Sequence, residues 1–174
     1  LSLLRDIAVD VVLVDISLKT GNGIELIKRI RAMYPDIRIL VLSGFDESLY
    51  GERSLRAGAQ GYLNKQLSSE KLIEAIETVV RGRRYVSAAL ADRLVSKALC
   101  EKADASSAID TLSDRELQVL QMIGDGLTTG TIAQRLHVSP HTIDTHRENL
   151  KRKLGVNNAA ELSRLAVQWV LPRD

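Results

Sequence analysis

A chain of 174 residues has room for one large domain or two modest ones, and 45% hydrophobic with 26% charged residues describes a folded protein rather than a disordered one. No apolar run approaches the roughly 18 to 20 residues of a membrane span, and no secretory signal pattern opens the chain. The single cysteine, Cys100, excludes an intramolecular disulfide; it fits a reducing cytoplasm and reads as a packing residue beside Leu99. A net charge of +2 is far below that of a nucleic-acid binder recognised by charge alone, and from Thr111 onward eight Lys/Arg face seven Asp/Glu, so any such function must rest on pattern.

Residues 1–5 fit the tail of a helix. Val11-Val12-Leu13-Val14 is a continuous apolar run ending at Asp15, as expected of a parallel strand buried on both faces. Gly21 and Gly23 break the chain, and Ile24, Ile27 and Ile30 then recur at helical spacing. After the Pro35-Asp36 turn, residues 37–42 read as a second buried strand, ending at Ser43-Gly44. Residues 46–57 follow as a helix with Gly58 as its C-terminal cap. Gly61-Tyr62-Leu63 is a third, short strand that ends near Lys65. Ser69 is placed to cap a helix with an apolar stripe of Leu72, Ile76, Val79 and Val80.

This alternation is the rhythm of an open, parallel α/β sheet with right-handed crossovers. Chemistry in such sheets gathers beyond the carboxyl ends of the strands, and those ends carry Asp15, Ser43 and Lys65. A carboxylate, a hydroxyl and an ammonium at neighbouring strand ends suit phosphoryl transfer onto the carboxylate, with Asp15 as nucleophile and Ser43 and Lys65 on phosphoryl oxygens. Tyr62, on the same strand as Lys65, is placed for its ring to move with the Ser43 hydroxyl. Taken singly, Asp15 and Lys65 are ordinary surface charges and Tyr62 a core aromatic; their coincidence at successive strand ends is what carries the reading.

Residues 10–80 then resemble the later part of a two-component receiver domain. DVVLVDISLKTGNG resembles its phosphoacceptor loop, LVLSG its hydroxyl-bearing strand end, and GAQGYLNK the strand with the switch aromatic and the lysine. The resemblance implies a partial flavodoxin-like α/β fold, phosphorylation of Asp15 by a partner histidine kinase, and Mg²⁺, for which Asp15 would be one ligand. The family usually has proline where Lys19 stands. Receivers also have two earlier strands and an acidic, metal-binding pair that this chain lacks, since Asp6 and Asp10 lie too close to the Asp15 strand to form it. A fragment of a longer regulator is favoured over a degenerate receiver. On that reading the first strand would be an open edge, Mg²⁺ is expected only where the missing acidic pair is present, and this piece alone is expected not to be phosphorylated.

The Arg81-Gly82-Arg83-Arg84 segment closes the sheet domain, residues 87–99 read as a further helix, and residues 101–110 are small and polar, as in a linker. Ser113 to Glu116 is a capping box opening a helix that carries Leu117, Leu120 and Ile123. From Thr128 the chain reads as a helix-turn-helix. Thr128 or Thr129 caps a helix with Ile132, Ala133 and Leu136 inward; His137-Val138-Ser139 turns, with Val138 filling the angle; Ser139 caps and Pro140 opens the second helix. At 100° per residue, Ile143, His146, Leu150 and Leu154 face inward on this second helix. His141, Asp144, Thr145, Glu148, Asn149 and Arg152 form the opposite arc, whose N-terminal part would meet base edges in a DNA major groove. Arg147, Lys151 and the threonines Thr128 and Thr129 are placed for phosphates. His141 and His146 are too few for a metal site. A last helix over 157–170 carries Leu162, Leu165, Ala166 and Trp169 on one face.

As bare periodicity this is only an amphipathic helix pair. The whole run LSDRELQVL…GLTTGTIAQRLHVSPHTIDTHRENLKRKLGV, however, closely resembles the LuxR-type DNA-binding domain. With the receiver-like half, the resemblance implies a NarL/FixJ-type response regulator, controlled by aspartyl phosphorylation. It implies a homodimer on a two-fold operator in double-stranded DNA, with the last helix as dimer contact. The domains expected are residues 1–86 (truncated receiver), 87–110 (linker helix and linker) and 111–174 (LuxR-type helix-turn-helix). Many relatives carry a basic residue where Asp144 stands and often one near Gly130, so modest non-specific affinity and some reading of C·G pairs by Asp144 and Glu148 are expected. A second reading makes the receiver only a dimerisation or interaction surface, independent of phosphorylation. An enzyme is disfavoured, because the strand ends lack a second catalytic carboxylate and a Gly-rich phosphate loop.

Overall fold

The computed structural model describes residues 4, 8–16, 22–99 and 108–170. The helix-tail reading of 1–5, and Asp6, Lys19, Gly21, Cys100 and residues 101–107 of the linker lie outside the described residues, Leu4 excepted. The chain divides into two compact units, one holding the sheet and the helices through residue 99, the other the helices from residue 108.

The first unit runs β1 (Val11–Val14), α1 (Gly23–Met33), β2 (Arg38–Ser43), α2 (Glu47–Ala57), β3 (Gly61–Asn64), α3 (Ser69–Val80) and α4 (Ala88–Leu99). The three strands lie in the order β1-β2-β3 and every pairing is parallel, so each strand-to-strand connection must be a crossover, supplied by α1 and α2. Val14 pairs with Val41, and Ser43 with Asn64.

Both-face burial belongs to β2 rather than to β1. Ile39, Leu40 and Val41 are inaccessible, whereas Leu13 on β1 is 46% exposed. The reason is position: among the described residues β2 is flanked on both sides, and β1 pairs on one side only. One core cluster joins Leu40 and Leu63 of the sheet to Ala75 and Val79 of α3, with Leu72, Ile76 and Tyr85 packed against it. Val80, expected on that stripe, lies off it and is 43% exposed. Ile24, Ile27 and Ile30 bury the inner face of α1, each contributing on the order of 1.5–3 kcal/mol. Asp46 caps α2 through Ser48 N, and Gly58 closes it at φ 114° in the left-handed region. The residue before α3 is Ser68, not Ser69; its extended backbone starts the helix without a side-chain hydrogen bond.

The second unit runs from a 3₁₀ turn (Ala108–Thr111) through α5 (Asp114–Gly124), α6 (Thr129–Leu136), α7 (Pro140–Leu154) and α8 (Ala159–Val170). Ile109, Leu117, Leu120, Ile132, Ile143, Leu150 and Leu162 are buried at its centre. Ser113 and Glu116 form the reciprocal capping box. Thr128 caps α6 and Ser139 caps α7, with Pro140 in the first turn, where a missing N–H costs nothing. Between α6 and α7, His137 adopts a left-handed φ of 52°, and its N–H returns to the end of α6. α8 begins two residues later than the periodicity alone indicates. Asn158 Oδ1 accepts from Glu161 N at 2.9 Å, and the Glu161 carboxylate accepts from Asn157 N at 2.8 Å, so the cap sits at Asn158.

Candidate functional site

The register brings the three sheet-end residues side by side. Asp15 follows Val14, which pairs with Val41; Ser43 is the last residue of β2; and Lys65 N continues the ladder by donating to Ser43 O at 2.9 Å. Across fifty residues of sequence, Lys65 Nζ reaches Asp15 Oδ2 at 2.5 Å. Both side chains are partly exposed, the carboxylate 30% and the lysine 44%, so the pair is open to an incoming group. The Asp15 backbone is held from behind by α1. A Cβ on Gly23 would stand 2.5 Å from Ile16 Cα and 2.9 Å from Asp15 O, so only glycine allows α1 to start so close to this loop.

Ser43 and Tyr62 lie deeper. Ser43 is fully buried; its Oγ accepts from Phe45 N at 3.1 Å and is hydrogen-bonded with the Tyr62 hydroxyl. Tyr62 points inward, 2% exposed, and its hydroxyl donates to Phe45 O at 2.9 Å. Burial pushes the Tyr62 phenol well above its ordinary pKa, against the opposing Ser43 hydrogen bond, so the ring stays neutral and serves as a donor. Tyr62 and the Ser43 hydroxyl thus hold the same backbone segment, the one that leads into α2. Phe45, which the sequence did not single out, is the link between them, and no local pattern marks it.

In the second unit, His141, Asp144, Thr145, Glu148 and Arg152 lie exposed along one side of α7, while Asn149, Arg147 and Lys151 are half-buried beside them. Several of these groups already have partners. Thr145 Oγ1 donates to His141 O, Arg152 donates to Asn149 Oδ1 at 3.0 Å, and Lys151 pairs with Glu148 at 2.8 Å. The last pair joins a residue expected at base edges to one expected on phosphate, so the two roles compete. Thr128 is exposed and spends its Oγ1 on the cap and on Thr131; Thr129 is half-buried.

Around the inner side of α7, Arg115 of α5 and Lys153 make ties that sequence reasoning missed. Arg115 donates to Leu136 O at 3.1 Å and to Gln118 Oε1, tying α5 to the end of α6. Lys153 pairs with the buried Glu116 at 2.7 Å, tying the end of α7 to the start of α5. Burial raises the pKa of Glu116, but the bonds from Lys153 and Ser113 outweigh it and hold the carboxyl below its ordinary range. His146 faces inward with Nδ1 buried and without a hydrogen-bond partner; burial first, then the Arg115 charge, pulls its pKa down against the opposing Glu116.

Two domain families match this division of the chain. The response regulator receiver domain matches residues 1–77, and the bacterial regulatory proteins of the luxR family match residues 110–166. Response regulator GacA of Pseudomonas aeruginosa is 33% identical over 168 residues, covering 97% of this chain and 78% of GacA. The chain belongs to the response regulators of NarL/FixJ type. It is likewise 32% identical to response regulator UvrY of Escherichia coli, over 94% of this chain and 75% of UvrY. Among solved structures it is similar to a Salmonella typhimurium RcsB response regulator (TM-score 0.66, 26% identity, 98% of this chain and 79% of that one). RcsB of Salmonella enterica serovar Typhimurium, bound to promoter rprA in the presence of phosphomimetic BeF₃⁻, gives TM-score 0.62 at 26% identity over 95% and 79% of the two chains.

This response regulator is thus a DNA-binding transcription regulator. No described helix is long and apolar enough to cross a membrane. Receiver domains generally bind Mg²⁺. Among the described residues no three His, Cys, Asp or Glu side chains come together to hold a metal; Asp15 is a strand-end carboxylate that could supply one ligand.

Proposed function

We propose that Asp15 is the phosphoacceptor through which this response regulator is controlled. The observation that carries this reading is the Lys65–Asp15 contact at 2.5 Å, set at the strand ends beside Ser43. An Asp15 oxygen forms a bond to phosphorus as the bond to the donor's leaving group breaks, giving an acyl phosphate. The Lys65 ammonium, already at the carboxylate, shifts to a phosphoryl oxygen, and the Ser43 hydroxyl turns outward to donate to another. Rotation of Ser43 removes a partner from Phe45 N and from the Tyr62 hydroxyl, and so alters the entry to α2. The donor is a sensor histidine kinase.

The output is DNA binding by α7, laid in the major groove as a homodimer on a two-fold operator. His141, Asp144, Thr145, Glu148 and Asn149 face bases; Arg147, Lys151, Arg152, Thr128 and Thr129 face phosphates. The cytoplasm, where DNA and kinase output meet, is its place of action.

The test is a phosphate-affinity gel of the product of the complete reading frame, treated with acetyl phosphate and Mg²⁺. The wild type should shift and Asp15→Asn should not; a shift that survives Asp15→Asn would overturn the assignment. The second reading is a receiver that serves only as a dimerisation or interaction surface, independent of phosphorylation. No shift in either protein, with operator binding intact, would select it.

A further inference from the structure

One carboxylate in the first unit gathers several cations, and it lies on α2. Glu52 is 8% exposed, yet Arg56, Lys97 and Arg93 all approach it, at 2.7, 2.8 and 3.7 Å. Arg56 is on its own helix; Arg93 and Lys97 come from α4, some forty-five residues on in sequence. α4 is pinned to α2 elsewhere as well. Ser87 N donates to Glu47 Oε1 at 3.2 Å, and Arg93 donates to Ser48 O at 2.6 Å. Between these points Leu90, the only buried residue of α4, sits on Gly51, where an added Cβ would stand 2.6 Å from Leu90 Cδ2.

The attachment is lopsided in kind. One fully buried leucine contributes a small apolar contact, so α4 keeps little of the hydrophobic grip that holds α1 or α3 to the sheet. Half-buried Ala91 and Leu94 add to that contact, and the polar and ionic bonds just described run to α2. That helix begins directly after the segment held by Ser43 and Tyr62, and the Phe45 ring stacks on Tyr50 with centroids 5.0 Å apart. α4 is in turn the last described element before the second unit in sequence.

We infer that α4 is a releasable strap, clasped to α2 by the Glu52 charge cluster, which opens as a unit while the sheet stays folded. With Glu52 neutralised, Arg56, Arg93 and Lys97 lose the carboxylate they share, so one change should loosen the whole clasp. A shift in the Ser43–Phe45 segment moves the start of α2 and with it the bonds that Glu47 and Ser48 give to α4. That last link rests on the phosphoacceptor reading; the clasp itself does not.

Hydrogen exchange of the intact chain, resolved by segment, tests this without any phosphodonor. Amides of residues 91–99 should exchange at least tenfold faster than those of β2, and faster in 0.5 M than in 0.05 M salt, because the cations are partly exposed. Glu52→Gln should accelerate residues 91–99 a further tenfold or more and leave β2 and α5–α8 unchanged. Arg93→Gln with Lys97→Gln should do the same, and the triple variant should add less than the sum of the two effects, as members of one cluster do. The cation-side variant decides the matter if Glu52→Gln fails to fold. Exchange of α4 at the rate of β2, absence of a salt effect, or full additivity of the variants would overturn the strap.

Discussion

At residue scale, Gly23 and His146 show how a single side chain, or its lack, sets a site. Gly23 opens α1 against the backbone of Asp15 and Ile16, both rigidly placed by the end of β1. Gly23→Ala puts a methyl within 2.5 Å of a main-chain carbon, so the loop must move. It should destabilise the first unit by about 1–3 kcal/mol, read as a lower urea midpoint, despite the general gain of alanine over glycine in helices. His146 tests pH. Its folded pKa lies below that of an unfolded histidine, so the unfolded chain takes up a proton first as pH falls. The stability tied to neutral His146 is therefore complete above about pH 6.5 and declines below it, while Glu116 and Arg115, which face the ring, keep their charges. Thermal melts of wild type between pH 8 and 5.5 should show this decline, and His146→Gln should flatten it; an unchanged slope would mean that the proton goes elsewhere.

At the scale of elements, the second unit is assembled by groups that serve two helices at once. Glu116 accepts from Ser113 N to cap α5 and from Lys153 to hold the end of α7. Because the Glu116 pKa is depressed, its contribution is present above about pH 4.3, the unfolded value, and is lost as pH falls through the folded one. Glu116→Ala should cost about 2 kcal/mol, losing half of the capping box and leaving Lys153 without this partner, as a urea titration of the second unit would read. Ser113 and Glu116 were legible as a cap, and so were Ser139-Pro140 and Gly58, since caps depend on residues a few positions apart. The tie from Glu116 to Lys153 spans thirty-seven residues and no local pattern marks it. Likewise, the apolar run of β1 looked as buried as that of β2, because composition reports hydrophobicity and not how many neighbours a strand has.

For the whole molecule, the near-balance of charge in the second unit shapes how it should bind DNA. Lys151 is shared with Glu148, and Asp144 stands exposed on the reading face, so few cations are free to displace counterions. Lys151→Ala should weaken binding to all sequences alike and lower the salt slope of log K by about one unit. Asp144→Ala should instead change preference at one base position, measured on a library of single-substituted operators; a uniform change across the library would rule out direct reading by that carboxylate.

What the sequence by itself determined is the order of elements, the caps at Gly58, Ser113 and Ser139, the inward stripes of α5 to α7, and the trio Asp15, Ser43 and Lys65 at successive strand ends. All follow from periodicity, short-range hydrogen bonding, and the rule that parallel strands end on the same side. Only the tertiary structure decided that Lys65 touches Asp15, that Tyr62 and Ser43 share the Phe45 segment, and that Glu52 gathers cations from two helices. Ion pairs and hydrogen bonds act over a few ångströms, and the residues that make these are brought together by the sheet register and helix docking, neither of which a linear pattern contains.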